Sequence, residues 1–113
     1  MVCGKLELEI MNSFWNLTSQ DEDRDISIQD VVDYLAQIGL DRAYTTIKTV
    51  MDRLTAKSVL VRYKVGKKFF YRSAVDRDEM ILESVNTLAE QFFGGSHIGM
   101  LRFIEHNCCK DLV

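Results

Sequence analysis

The spacing of apolar residues divides the chain into five stretches with helical periodicity. In each stretch apolar residues recur at intervals of three and four, which predicts a helix with one apolar face. Capping residues such as Ser27, Asp76 and Ser96 precede three of these stretches, and Gly39 and Gly94 follow two of them. The apolar positions are Ile10, Met11, Phe14 and Leu17; Ile28, Val31, Val32, Leu35 and Ile38; Ile47, Val50, Met51 and Leu54; Ile81, Val85, Leu88 and Phe92; and Ile98, Leu101, Phe103 and Ile104.

A stretch with the composition of a β-hairpin lies between the third and fourth predicted helices. Residues 58–64 and 68–73 are rich in Val, Tyr and Phe, and Val65-Gly66-Lys67 separates them with a glycine suited to a tight turn. Two helices joined by the short connection 39–43 and followed by a hairpin form the layout of a winged helix-turn-helix. The sequence therefore predicts a mainly α fold with a small β-hairpin. We expect a winged-helix DNA-binding domain over residues 1–75 and a helical dimerisation arm over 76–113.

The third predicted helix and the hairpin concentrate the positive charge of the chain. Residues 43–73 hold eight Lys and Arg against one Asp, a formal charge of +7, although the whole chain carries −3. Duplex DNA attracts such a local patch through counterion release, and hydroxyl and cationic side chains read phosphates and base edges. The alternative is that a lysine-rich hairpin is merely a solvated edge that resists aggregation. We predict DNA contacts from Thr45, Thr46, Lys48, Thr49 and Arg53 on the polar face of the helix and from Lys64, Lys67 and Lys68 at the wing tip.

The fourth and fifth predicted helices carry a broad apolar surface for a segment appended to a small domain. These helices could fold back on the winged helix, or they could pair two copies of the chain. We favour a homodimer, because a single winged helix grips few phosphates and two-fold pairing doubles the contacts. The predicted dimerisation residues are Ile81, Val85, Leu88, Phe92, Leu101 and Ile104.

Several other classes of function find no support in the sequence. No arrangement of nucleophile, acid and base can be argued from spacing, so we expect neither an enzyme nor a cofactor. No apolar run approaches the roughly 18–20 residues needed to span a membrane, and the first residues lack the pattern of a signal peptide, so we expect a cytoplasmic protein. The acidic run 18–25 is expected to be a solvated loop that lies away from the basic surface, because its carboxylates would repel DNA.

Four motifs occur in order along the chain. They are residues 6–11 together with Trp15, then 43–54, then 62–71, and finally 92–96. This set resembles the penicillinase-repressor family of the BlaI and MecI type, which includes copper-responsive repressors, and the resemblance covers roughly residues 6–105. It implies a bacterial, dimeric winged-helix repressor that binds an operator with dyad symmetry. The residues that would face DNA by this resemblance are Thr45, Thr46, Thr49 and Arg53, with Lys48 at their edge and Lys67 and Lys68 in the wing.

The sequence departs from that family near its end. Arg102-Phe103 stands where the antibiotic-resistance members carry a cleaved Asn-Phe bond, and adjacent Cys108 and Cys109 stand in place of the paired Cys-x-Cys motifs of the copper-responsive members. The candidates for metal ligands are His106, Cys108 and Cys109, since imidazole and thiolate suit zinc and copper, and Cys3 of the partner chain could join them.

Two alternative functions stay open at this stage. One is a metal- or redox-responsive regulator of the same fold that senses through Cys108 and Cys109. The other is a winged-helix module that binds proteins. The +7 segment argues against the second, because a protein-binding module has no need of hydroxyls and cations on its third helix.

Overall fold

A computed structural model describes residues 4–109, and within that range the chain forms five helices and one antiparallel hairpin. This confirms the mainly α fold with a small β-hairpin. The elements are α1 (Lys5–Leu17), α2 (Ile28–Gln37), α3 (Tyr44–Ala56), β1 (Leu60–Val65), β2 (Lys68–Ser73), α4 (Arg77–Phe93) and α5 (His97–Cys108).

The described residues divide into two compact units, 4–76 and 77–109. The first contains α1 to α3 and the hairpin, and the second contains α4 and α5. The assignment of DNA binding to one segment and dimerisation to the other stays a prediction.

Local signals in the sequence explain where α2 begins and ends. The Ser27 hydroxyl accepts a hydrogen bond from the Asp30 amide at 3.1 Å, and the Asp30 carboxylate accepts one from the Ser27 amide at 2.9 Å. This reciprocal pair satisfies two backbone donors that the helix itself leaves free. After the helix, Gly39 adopts a φ of +85°, which a glycine reaches without steric cost. The chain then turns directly into α3.

The core of residues 4–76 is formed where α1, α2 and α3 pack on one another and on the hairpin. Most of the apolar stripe predicted for each helix is buried here, but Ile38 lies just after the end of α2 and is 54 % exposed. The indole nitrogen of Trp15 donates to the Val75 carbonyl at 3.4 Å. Burial of this kind stabilises a fold by about 25 cal/mol for each Å² of apolar surface. The side chains with at most 1 % of their surface exposed include Ile10, Met11, Phe14, Ile26, Val31, Leu35, Ile47, Met51, Leu54, Val59 and Leu60.

The hairpin register differs from the predicted one by a single residue. Val65 pairs with Lys68, so the loop consists of Gly66 and Lys67 and not of three residues. Gly66 has a φ of +64°, and a glycine with positive φ at the first loop position is typical of tight two-residue hairpin turns. Because side chains alternate across a strand, this shift decides which residues share a face. Arg62 and Lys64 lie on the same face as Phe69.

The predicted separation of the acidic loop from the basic hairpin was wrong for its last residue. The Tyr63 hydroxyl donates a hydrogen bond to the Asp25 carboxylate. The next residue, Ile26, forms an isolated β-bridge with Tyr71 of β2. In this bridge the Tyr71 amide donates to the Ile26 carbonyl at 2.8 Å. Ile26 is fully buried, so packing of this apolar residue draws the end of the loop against the hairpin. Burial, reinforced by Asp25, raises the pKa of Tyr63 to about 12.

Residues 77–109 form a pair of helices joined by a glycine turn. Gly94 and Gly95 have φ values of +57° and +85°, and the Gly95 amide donates to the Ala89 carbonyl at 2.9 Å. The rings of Phe93 and Phe103 lie 5.7 Å apart between centroids and join α4 to α5. Among the described residues of this unit, those less than a tenth exposed are Met80, Ala89 and Met100.

Candidate nucleic-acid interface

The solvent face of α3 carries the hydroxyl and cationic side chains that the sequence analysis singled out. All five of these side chains are exposed, while the opposite face of the helix is buried through Ile47, Val50, Met51 and Leu54. Packing therefore fixes the rotation of α3 about its axis. The exposed side chains are Thr45, Thr46, Lys48, Thr49 and Arg53.

Hydrogen bonds on this face determine what each group still offers a partner. The Thr49 hydroxyl donates to the Thr45 carbonyl at 2.9 Å, so its oxygen is left as an acceptor. Lys48 forms an ion pair with Asp52 at 2.8 Å, and this bond raises the pKa of the Lys48 ammonium. Its charge is therefore partly compensated. Arg53 has no carboxylate within ion-pair distance in the described part of the chain.

The hairpin presents a set of cations whose charge is uncompensated. Within residues 4–109, no carboxylate forms an ion pair with any of them. Uncompensated cations on one projecting element attract a polyanion more strongly than cations that are already paired. The exposed set comprises the predicted Lys64, Lys67 and Lys68 and also Arg62 and Arg72.

A cleft of about 440 Å³ opens between α3, the hairpin and the start of α2, and sequence reasoning did not find it. Tyr44 and Lys48 line it from α3, while Arg62 and Phe69 line it from the hairpin. The Arg62 guanidinium carbon lies 4.6 Å from the centroid of the Phe69 ring. The alternation of side chains along both strands could have revealed the contact between Arg62 and Phe69. It does so only if the length of the hairpin loop is known correctly.

Tyr71 lies at the bottom of the same cleft and is only 2 % exposed. Burial raises the pKa of its phenol, and Asp52 acts in the same direction. Arg62 and Lys48 oppose that shift through their positive charges, so both cations lie near the phenol. The cleft is thus lined by Arg62 and Lys48 near a buried phenol.

The predicted dimerisation residues form part of a largely exposed apolar surface on α4 and α5. Phe92 is 73 % exposed and Leu101 is 53 % exposed, while Val85 is half-buried. A hollow of about 420 Å³ on this unit is lined by Leu88, Phe92, Phe93, Met100 and Phe103. The remaining predicted positions, Ile81, Leu88 and Ile104, are also exposed.

The cysteine end offers less for a metal site. Cys108 is an exposed free thiol and Cys109 is half-exposed, while Cys3 lies outside the described residues. Within residues 4–109, no three His, Cys, Asp or Glu side chains come together as a group that could hold a metal ion. The suggestion that His106, Cys108 and Cys109 bind a metal stays a prediction.

A search of residues 4–109 for membrane-spanning helices finds none of sufficient length and apolar character.

Comparison with known proteins gives first a structural likeness and then a family for this chain. The structure is similar to that of a ferric uptake regulator from Francisella tularensis solved with iron, with a TM-score of 0.52 and 15% sequence identity over 81% of this chain and 80% of that chain. At this identity the likeness concerns the fold alone, and it agrees with the winged-helix class. Residues 3–110 match the penicillinase repressor family, so the chain belongs to that family.

A curated relative supports the family assignment. The chain is similar to a penicillinase repressor from Staphylococcus aureus, with 26% identity over 89 residues. The match covers 79% of this chain and 65% of that relative, so the chain matches a little under two thirds of the relative's length.

Proposed function

We propose that this protein is a sequence-specific DNA-binding transcriptional repressor that acts as a cytoplasmic homodimer on an operator with dyad symmetry. The observation that carries the proposal is the solvent face of α3, where hydroxyls and the Arg53 guanidinium stand beside the cations of the hairpin, and none of these cations except Lys48 forms an ion pair with a carboxylate of residues 4–109. Membership of a repressor family supports it. We also propose that the protein is not an enzyme.

In this proposal α3 enters the major groove. Arg53 supplies the planar donor pair that matches the O6 and N7 acceptors of guanine, and the Thr49 oxygen accepts from an exocyclic amine or a backbone donor. Thr45 and Thr46 lie in the first turn of α3, where hydroxyls suit phosphate contacts. These roles require all the groups to lie on one face of a helix whose rotation is fixed by packing.

The hairpin acts as the wing in this account. Lys64, Lys67 and Lys68 are exposed at or near its two-residue loop, and they would contact phosphates beside the groove. Such contacts carry little sequence information, but they fix the orientation of α3 and make binding depend on salt.

A second copy of the chain is the occupant that we propose for the apolar surface of residues 77–109. Aromatic and aliphatic side chains such as Phe92 and Leu101 are exposed there, and apolar surface of this kind marks protein interfaces. Pairing would present two α3 helices to one duplex, which suits half-sites about one helical turn apart.

Selection from a library of randomised duplexes tests this function, because the target sequence does not have to be chosen beforehand. The purified full chain should enrich a sequence with dyad symmetry. The double variant Thr49→Ala/Arg53→Ala should not, because each lost contact costs about 1–3 kcal/mol of discrimination. The matched control is Lys5→Ala/Asn12→Ala, which removes one cation and one polar side chain from the exposed surface of α1.

The control variant should enrich the same sequence as the unaltered chain. Failure of the unaltered chain to enrich any sequence would contradict the proposal. Unchanged enrichment by the Thr49→Ala/Arg53→Ala variant would show that α3 does not read the bases.

A further inference from the structure

The cleft between α3 and the hairpin contains a guanidinium with a defined position and no acidic partner. Arg62 lies above the Phe69 ring at 4.6 Å, and strand register puts both side chains on one face of the hairpin. No carboxylate within residues 4–109 pairs with it. A guanidinium stacked on a ring loses little further side-chain entropy on binding, and its planar donors match the oxygens of a phosphate group.

The surroundings of Arg62 favour an anion at this position. Lys48 lines the cleft together with Arg62, and Asp52 compensates only Lys48. Lys68 borders the cleft at the tip of the hairpin, but strand register places its side chain on the opposite face from Arg62. Tyr71, which is only 2 % exposed, also lines the cleft. Half of the surface of Phe69 is exposed, which leaves an apolar face beside the cations. A phosphodiester joined to a sugar has this combination of charge and apolar surface.

The cleft borders the solvent face of α3, which we propose contacts the DNA bases. Tyr44 and Lys48 form one edge, and Thr45 and Thr49 are their immediate neighbours along α3. A DNA strand that borders the groove entered by α3 must pass between this helix and the wing.

We propose that the cleft binds one phosphodiester group of the DNA backbone and that Arg62 is its principal donor, with Phe69 as the positioning residue that holds the guanidinium. This inference rests on the proposed DNA-binding function and adds a contact that charge counting along the sequence does not identify.

Arg72 provides a matched control within the same hairpin. Its guanidinium carbon lies 5.8 Å from the centroid of the Tyr63 ring, so it too is an exposed arginine close to an aromatic ring. It points to the opposite face of the hairpin from Arg62, the face on which Tyr63 bonds to Asp25. The two residues thus differ chiefly in the side of the wing that they occupy.

The test is a fluorescence-anisotropy titration of the full chain with the enriched duplex across a series of salt concentrations. Arg62→Ala should weaken binding by roughly tenfold and reduce the slope of log affinity against log salt by about one unit, because one phosphate contact is lost. Arg62→Lys should keep the slope but bind several-fold more weakly, because an ammonium lacks the planar donor pair. Arg72→Ala should leave the slope unchanged.

Each outcome bears on the inference in a distinct way. Unaltered affinity and slope in Arg62→Ala, alongside lost sequence preference in Thr49→Ala/Arg53→Ala, would overturn the inference and leave the proposed function intact. Equal losses in Arg62→Ala and Arg72→Ala would also overturn it, because only total charge would then matter. If the unaltered chain bound no duplex at all, the proposed function and this inference would fail together. Circular dichroism melting of Arg62→Ala and Arg62→Lys checks that both variants are folded.

Discussion

The two compact units of this chain bury their apolar side chains to very different extents. In residues 4–76, side chains such as Phe14, Leu35 and Leu54 are at most 1 % exposed. In residues 77–109, Phe92 is 73 % exposed and Ile98 is 65 % exposed. The first unit buries most of its large apolar residues within one chain, although Ile38 and Phe69 are about half exposed, whereas the second leaves most of its large apolar residues on the surface. A helix pair of this kind gains stability when another apolar surface covers it.

A second contrast concerns where positive charge is concentrated. The segment 43–73 carries +7, although the first unit as a whole is neutral, whereas residues 77–109 carry two Lys and Arg against five Asp and Glu, a formal charge of −3. A basic segment on a well-packed unit can bind a polyanion. An acidic segment with exposed apolar residues is not suited to that role. The distribution of charge and apolar surface therefore favours different partners for the two units.

Shortening a core side chain should have the largest effect. Leu54→Ala removes a fully buried side chain of α3 and should lower the free energy of unfolding by about 2–5 kcal/mol. The loss should be the same at low and high protein concentration, because the core lies within one chain. Denaturant unfolding at two concentrations measures it, with Leu82→Ala as the control, since Leu82 is 58 % exposed. A comparable loss in both variants would contradict the contrast between the units.

Shortening an exposed aromatic in the second unit should act on association. Phe92→Ala should raise the dissociation constant of the dimer by about 30-fold, the effect expected when a central aromatic is removed from an interface. Gln91→Ala changes the neighbouring exposed residue of α4 and should leave that constant within about twofold. Sedimentation equilibrium measures both. If the unaltered chain were monomeric at every accessible concentration, the proposed dimer would be contradicted.

Acid should weaken the first unit through Glu7. This carboxylate accepts a bond from the Lys57 ammonium at 3.1 Å and another from the Gly4 amide, and the bond with Lys57 is the main cause of its lowered pKa. A lowered pKa in the folded state means that the contribution is present above the ordinary value of 4.5 and is lost as pH falls through the folded-state value. Glu7→Gln should cost about 1 kcal/mol at pH 7.

The pH dependence of that loss provides the check. The free energy difference between the unaltered chain and Glu7→Gln, measured by denaturant unfolding from pH 7 to pH 3, should shrink toward the acid end. A difference that stayed constant with pH would show that the ion pair with Lys57 does not stabilise the fold.

The elements of the fold could be predicted from the sequence because their signals are local. The period of Ile47, Val50, Met51 and Leu54 fixes which face of α3 is buried, so it also fixes the exposed face. Likewise, the capping pair of Ser27 and Asp30 defines the start of α2 without reference to distant residues.

The features that sequence reasoning missed depend on contacts between distant segments. The pairing of Arg62 with Phe69 follows from strand register, which the predicted three-residue loop would not have given correctly. The contact of Tyr63 with Asp25 depends on the burial of Ile26, which no period reveals. The cleft also requires α3 and the hairpin to lie side by side.

Hydrogen–deuterium exchange of the full chain, with and without the enriched duplex, tests the central claim most directly. The protein is held at a concentration at which the dimer is complete in both samples, so that changes report on DNA alone. The account predicts that DNA slows exchange of backbone amides in residues 44–73 and leaves residues 77–108 unchanged, and that Thr49→Ala/Arg53→Ala removes the effect. Slowed exchange confined to residues 77–108, or no change anywhere at saturating duplex, would contradict it.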